Sequence, residues 1–358
     1  MRYCRYLLLP FSLLYGLVVI IRNYFYNSGI FKSTEFELPV IVIGNLEVGG
    51  AGKSPMTEFL IKLLKPQYKI ATLSRGYGRQ TKGFFYADKN STAKTVGDEP
   101  LQFKKKFPDI TVAVCEERVA GVEKLQADHD LVLLDDAYQH RSLKPGFSIL
   151  LFDFGKLNEP HFLLPAGNYR EPFSGNKRAD VIVISKCPSD LSAEKQQEIR
   201  KQMLLLPHQN LFFTSIVYQL FKPFFAEEDA VFIDQKSTLF VLTGIASPKP
   251  LLQHLRKHFE QVMPYNYPDH HPFTSKNISK LVADFAACQT LNKVIITTEK
   301  DAQRLQEPAL QTLLAGLPVF VLPIGIDFLN GTAPAFQQII ENYVRKYQKN
   351  NRIHTKPD

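Results

Sequence analysis

Gly49-Gly50-Ala51-Gly52-Lys53-Ser54-Pro55 follows the apolar run Val40-Ile41-Val42-Ile43-Gly44-Asn45 and precedes a helical pattern from Met56 to Leu64. A strand, a glycine-rich turn, Lys-Ser and a helix are the parts of a phosphate-binding loop. Glycines let backbone N–H groups converge on phosphate oxygens. The lysine reaches the outer phosphates, the serine hydroxyl suits Mg²⁺, and the helix N-terminus adds its positive dipole end. Asn45, Gly49, Gly50, Ala51, Gly52, Lys53, Ser54 and Pro55 are therefore the candidate residues for a nucleoside triphosphate. The spacing departs from G-x-x-x-x-G-K-[ST], because Glu47 stands where that pattern has glycine. A glycine turn without a ligand is the plainer reading; Gly-Lys-Ser between a strand and a helix argues against it.

Other residues could complete the chemistry. Asp135-Asp136 ends the apolar run from Leu131, where an α/β sheet places its ligands and a P-loop enzyme places a carboxylate for Mg²⁺. A helix cap is the alternative. His140 and Arg141 follow in the same loop. Asp98, in Gly97-Asp98-Glu99-Pro100, is either a helix cap or a base for an attacking hydroxyl. Arg75, Arg79 and Arg170 sit in turn-like segments, as phosphate-binding forks or as solvated loop residues. Asp269-His270-His271 suits a carboxylate orienting a histidine better than a metal site, because adjacent side chains diverge. His254 and His258 have helical spacing but no third ligand, so a basic helix face is favoured. Lys300, in Thr298-Glu299-Lys300-Asp301, either approaches the nucleotide or pairs with its acidic neighbours.

Continuous aliphatic runs must position these groups: 70–74, 111–114, 131–135, 147–152 and 181–185. They lack alternation, as strands buried on both faces do. The expected fold is α/β: a P-loop domain with a parallel sheet, a second, smaller α/β domain, and an N-terminal membrane-associated helix. The texture changes near 212–226, which sets expected bounds of 1–30, 31–222 and 223–358. The second set of strands covers 239–243, 293–298 and 319–322. Pro334 to Tyr347 reads as a closing amphipathic helix and the tail from Gln348 as frayed.

The run Tyr6 to Ile21 carries no charge and is flanked by Arg2, Arg5 and Arg22. It reaches about 24 Å as a helix, short of a hydrocarbon core about 30 Å thick. Pro10 and Gly16 weaken a straight helix. A secretory signal would need a small-x-small cleavage site, which does not follow. A buried core helix is the second alternative, and an interfacial anchor is the preferred reading.

The chain has 358 residues, a net charge of +8 and four widely separated cysteines. The charge suits anionic partners. No zinc-finger spacing, RNA-recognition signature or long basic arm is present, so nucleic acid is not expected. The cysteines read as free thiols in a reducing compartment.

As a set these segments resemble the tetraacyldisaccharide 4'-kinase family of lipid A biosynthesis. The resemblance rests on Gly44-Asn45 with Gly49 to Pro55, Leu73-Ser74-Arg75-Gly76-Tyr77-Gly78-Arg79, Gly97-Asp98-Glu99-Pro100, and Asp135-Asp136 through Gln139-His140. It continues through Leu164-Pro165-Ala166-Gly167, Arg170-Glu171-Pro172, Asp269-His270-His271 and Thr298-Glu299-Lys300-Asp301. It covers roughly residues 5–305. Ala137 stands where the family more often has Gly, and Asn168-Tyr169 replaces a Pro-Leu-like pair.

The resemblance implies two α/β/α domains joined by a strand linker, with a cleft between them. It implies phosphorylation of the 4'-hydroxyl of a tetraacylated disaccharide 1-phosphate, with ATP and Mg²⁺. It implies work at the cytoplasmic face of the inner membrane, on that leaflet's lipid; a monomer is expected. Lys53 and Ser54 would hold phosphates and metal, and Asp135 and Asp136 would serve the metal. Asp98 would be the catalytic carboxylate with His270 or His271. Arg118, His140, Arg170 and Glu171 would be further active-site positions. Rival classes are a partner-driven ATPase or GTPase, a manganese phosphoesterase and a noncatalytic nucleotide sensor. Ser185-Lys186-Cys187 lacks the N-K-x-D pattern of a G-protein, and the phosphoesterase leaves the P-loop unexplained.

Overall fold

The computed structural model describes residues 3–225 and 233–354. Arg2 and the acidic stretch Glu227-Glu228-Asp229 lie outside them. The strands before the first crossover are β1 (Val40–Gly44), β2 (Ile70–Ser74), β3 (Phe85–Tyr86), β4 (Thr111–Val114), β5 (Leu131–Asp135), β6 (Phe147–Asp153), β7 (Val181–Ser185) and β8 (Asn210–Tyr218). Those that follow are β9 (Lys222–Pro223), β10 (Thr238–Thr243), β11 (Gln261–Asn266), β12 (Lys293–Thr298), β13 (Val319–Leu322) and β14 (Ile324–Phe328).

The described residues form two sheets, ordered β14-β8-β7-β6-β1-β5-β2-β4-β3 and β11-β10-β12-β13-β9. Strands β8 to β4 of the first are parallel, with antiparallel edges at β14 and β3. The central strands are buried along their whole length, which is why their sequences run apolar without alternation. One apolar layer lies on each face. Val42, Leu134, Leu150 and Ile182 point to one; Ile41, Ile43, Leu133 and Val183 point to the other.

Domain bounds read from the sequence need a correction at the C-terminus. Residues 324–354 return to the first sheet. Strand β14 pairs with β8, and the helix Ala333–His354 buries Phe336, Ile340 and Val344 among Ile41, Ile43 and Leu60. Tyr343 Oη donates to the Val40 carbonyl at 3.2 Å. The closing helix therefore continues past the point where a frayed tail was expected. An amphipathic pattern specifies that a face is buried; it does not specify against which sheet.

The chain crosses between the sheets twice, side by side. Strand β8 leads to β9, which pairs with β13; β13 leads to β14, which pairs back with β8. Gln219 N donates to the Pro323 carbonyl at 2.9 Å between these pairs. The link is thus a two-stranded antiparallel ribbon.

Near the N-terminus, a 3₁₀ turn leads into the helix Leu9–Asn27. Pro10 sits in its first turn, where an N–H has no helical partner to lose, so the helix is not broken. Gly16 packs where a Cβ would stand 2.7 Å from Leu163 Cδ1, so it serves close approach.

Candidate active site

Strand β1 lies between β6 and β5, with Ile43 in register with Asp135. The glycine-rich loop and the two aspartates therefore emerge side by side at the carboxyl ends of adjacent strands. Gly49 and Gly52 have φ of 103° and 84°, values that glycine adopts without steric cost. Gly52 caps the helix Lys53–Leu64. Ser185 Oγ donates to the Ala51 carbonyl at 2.8 Å, and Lys186 donates to the Gly50 carbonyl and, at 2.8 Å, to Asp153. The loop's carbonyls are tied back to β6 and β7. Among the described residues no hydrogen bond uses the N–H of Gly50, Gly52, Lys53 or Ser54. Free N–H groups at a helix start are the donor set an anionic phosphate requires.

Glu47 explains the departure from the usual spacing. It is buried, lies 3.5 Å from Lys156 Nζ, and forms a bridge with Tyr169. Burial raises its pKa, with Lys156 opposing. Its backbone bridges the loop to segment 163–171, and its carboxylate meets Lys156, a contact glycine cannot make.

Lys53 Nζ donates to Asn45 Oδ1 at 3.2 Å and lies 3.6 Å from Asp136 Oδ1. Asp136 also accepts from Arg170 Nη1 at 3.0 Å and has φ of 50°. Burial opposes its charge, but Lys53 and Arg170 hold its carboxyl below the usual range. Asp135 is buried, accepts from Thr57 Oγ1 at 3.2 Å, and is pushed up to about 7 by burial and then by Asp136. Glu99 adds to that upward push. Ser54, Asp135 and Asp136 supply hard oxygen donors, and Mg²⁺ takes one or two carboxylates with phosphates and water. Among the described residues no group of three or more His, Cys, Asp or Glu is placed to hold a metal ion by itself.

Arg118 and His140 form one unit. The Arg118 N–H donates to His140 Nε2 at 3.3 Å, and Arg118 Nη1 donates to the carbonyls of Cys115 and Glu116 at 3.2 and 2.6 Å. Burial, then the Arg118 charge, pushes His140 down to about 4, so it is a neutral acceptor. Arg118 Nε is buried without a partner. Glu171 is a tie: it accepts from Arg178 and Gln139 at 2.9 Å and from Asn23 of the N-terminal helix at 3.4 Å.

Asp98 begins the helix Asp98–Lys106 and is buried. Its Oδ2 accepts from Arg304 Nε at 2.8 Å and from His270 Nδ1 at 3.1 Å, both carried by the second sheet's unit. Burial would raise its pKa; His270 and Arg304 outweigh burial and hold it low. His270 has φ of 57°, and its Nε2 lies 3.0 Å from Lys300 Nζ. An ammonium can only donate, so the imidazole hydrogen belongs on Nδ1, facing Asp98. Lys300 also pairs with Glu99 at 2.8 Å. His271 instead meets Asn277 Oδ1 at 3.1 Å and stacks on Tyr267. Of the two histidines, His270 is the one beside Asp98. His254 stacks on Tyr218 at 4.0 Å, a packing role.

The family described as Tetraacyldisaccharide-1-P 4'-kinase, LpxK, matches residues 4–345. The chain belongs to this family. A tetraacyldisaccharide 4'-kinase of Flavobacterium johnsoniae is 43% identical over 357 residues, covering 98% of this chain and 99% of that one. One from Phocaeicola vulgatus is 41% identical over 354 residues, covering 97% of both. The structure of LpxK from Aquifex aeolicus in complex with ATP superposes with a TM-score of 0.69 at 26% identity. It covers 95% of this chain and 99% of that one.

In this LpxK-family chain, sequence reasoning passed over Arg304, whose side chain bridges Asp98, Asp301 and the Gly244 carbonyl. Its one legible signal is the i, i+3 spacing from Asp301 on a short helix after β12. Thr57 also went unremarked; it lies four residues beyond Lys53, one helical turn along the P-loop helix. Tyr15 Oη donates to the Arg170 carbonyl at 2.8 Å, and only the fold brings those two segments together.

Proposed function

We propose that this chain transfers the γ-phosphoryl group of ATP to the 4'-hydroxyl of a tetraacyldisaccharide 1-phosphate, as its family membership indicates. The observation that carries the reading is a P-loop with free N–H groups and a buried Asp98 held by His270, linked through Glu99, the neighbour of Asp98, whose charge acts on Asp135. The free N–H groups of Gly50 to Ser54 and the Lys53 ammonium would take the β- and γ-phosphates. Ser54, Asp135 and Asp136 would hold Mg²⁺, which neutralises developing phosphate charge. Asp98 would accept the hydroxyl proton as the O–P bond forms and the bond from Pγ to the bridging oxygen breaks, releasing ADP. A carboxylate with a low pKa suffices, because proton transfer comes late in a loose phosphoryl transfer. His270 and Arg304 would fix the carboxylate's orientation. Arg118 and Arg170 would lie along the phosphate path.

The acceptor's acyl chains keep it in a bilayer. Among the described residues, Arg5–Asn27 is one helix long and apolar enough to cross a membrane by length and composition. Its polar contacts favour an interfacial position, and the use of ATP would set that position at the cytoplasmic face of the inner membrane. Arg5 donates to the carbonyls of Pro165 and Gly167, Ser12 to that of Leu163, Tyr15 to that of Arg170 and Arg22 to that of Gln139. These bonds hold the helix lengthwise along the protein, while Phe11, Leu14, Leu17, Val18 and Ile21 remain exposed. The same loops carry Arg170 and Glu171, so the helix would deliver lipid directly to the site. A monomer is the assembly proposed.

The test is transfer of label from γ-labelled ATP to tetraacyldisaccharide 1-phosphate in detergent with Mg²⁺. Asp98→Asn should lose about 10²–10⁴-fold in kcat while still binding ATP, and Lys53→Ala should lose nucleotide affinity as well. ATP hydrolysis without lipid labelling in the wild type would overturn the acceptor assignment.

A further inference from the structure

A cavity of about 670 Å³ opens where the N-terminal helix ends; its lining holds none of the P-loop residues Gly49 to Ser54 and shares His140 with the candidate site. Its walls include Tyr26, Lys32, Arg141, Lys144 and Arg178, with Asp180 as the acidic member. The charges there are unequally satisfied. Lys144 pairs with Glu35 at 2.8 Å, Arg178 with Glu171 at 2.9 Å, and Asp180 accepts from Ser148 N and Oγ. Arg141 makes no ion pair among the described residues: its partners are Asn27 Oδ1 at 2.8 Å and the Tyr26 ring at 5.3 Å, and the Glu171 carboxylate, already paired with Arg178, acts on it only at longer range. Lys32 is exposed and has no acidic partner among the described residues. Two cations are thus left for an external anion, one of them a planar fork suited to two oxygens of one phosphate.

The rim says where that anion comes from. Tyr24, Ile30 and Phe31 are exposed beside the mouth and continue the apolar face of the helix. A cavity that is basic inside and apolar at its lip suits a phosphate still attached to acyl chains. We propose that this cavity binds the headgroup of an anionic phospholipid, distinct from the phosphoryl acceptor, and pins the end of the helix to an anionic leaflet. The inference rests on the interfacial reading of the helix given above.

Flotation of the full-length protein with phosphatidylcholine vesicles, with and without phosphatidylglycerol, tests it. The wild type should prefer the anionic vesicles. Lys32→Ala should lose about fivefold of that preference, the effect of one basic residue near a charged leaflet, with its melting temperature unchanged. Lys280→Ala removes an equal charge from the helix Ser275–Ala287 of the other unit. It should change the preference by less than about twofold, because distant charges are screened. Equal losses in both variants would overturn a specific site. Abolition of the preference by millimolar inorganic phosphate would reassign the cavity to free phosphate. Binding to phosphatidylcholine with no preference would sink the headgroup site alone. Failure to bind either vesicle would sink it together with the interfacial helix.

Discussion

Asp98 draws its acidity from residues of the other unit, and this makes its environment testable. With Arg304→Gln the carboxylate keeps His270 but loses a charged partner, so its pKa rises towards the value burial alone would set. The acid limb of the pH–kcat profile should move to higher pH, with activity at about pH 6 falling more than at about pH 8. Arg304→Lys should restore part of the shift; an unmoved limb with uniformly low activity would mark Arg304 as a structural residue only. His140 gives a second pH signature with a definite sign. Its folded pKa, about 4, lies below the ordinary imidazole value of about 6.5, so the native state binds fewer protons than the unfolded chain. Stability from this group is full above about 6.5 and is lost as pH falls towards 4. His140→Gln should flatten the melting temperature across that window, measured as a thermal series in closely spaced pH steps.

At the scale of elements, the N-terminal helix is held by side chains that a hydropathy reading treats as blemishes. Gly16 admits Leu163, and Ser12 both donates to the Leu163 carbonyl and accepts from Ala166 N at 2.9 Å. Gly16→Leu should lever the helix off segment 161–171, leaving the P-loop untouched. The expected outcome is faster proteolysis of that segment and a KM for the lipid raised about tenfold, with KM for ATP within about twofold, because uniform binding to one substrate is what is lost. Equal changes in both constants would indicate a general folding defect.

Across the whole molecule, the two units meet through buried charge. Lys106 stands 2.6 Å from both Glu58 and Glu299, one carboxylate from each unit. Burial pushes Glu58 up despite Lys106, and the two carboxylates together keep Lys106 charged. Lys106→Met leaves both carboxylates without a counter-ion, with only the neutral donors Gln102 on Glu58 and Ile324 N on Glu299, and should cost about 3–5 kcal/mol in chemical denaturation near neutral pH. The loss should shrink as pH falls, because Glu58 can then take a proton. A loss independent of pH would show that packing, not charge, holds the units together.

What the sequence by itself determined is local and chemical. The strand–glycine loop–Lys-Ser–helix order, the aspartates ending β5 and the continuous apolar runs each carry their meaning within a few residues, because backbone periodicity and side-chain type act over that range. The tertiary structure decided everything that depends on segments far apart. It placed His270, not His271, against Asp98, because a left-handed backbone at His270 turns the two rings apart. It brought Arg304 across to the same carboxylate, gave Glu47 its place beside Lys156, and folded residues 324–354 back onto the first sheet. No spacing rule encodes these pairings. They follow from which faces are left to bury once the sheets have formed and from which buried charges then need a partner.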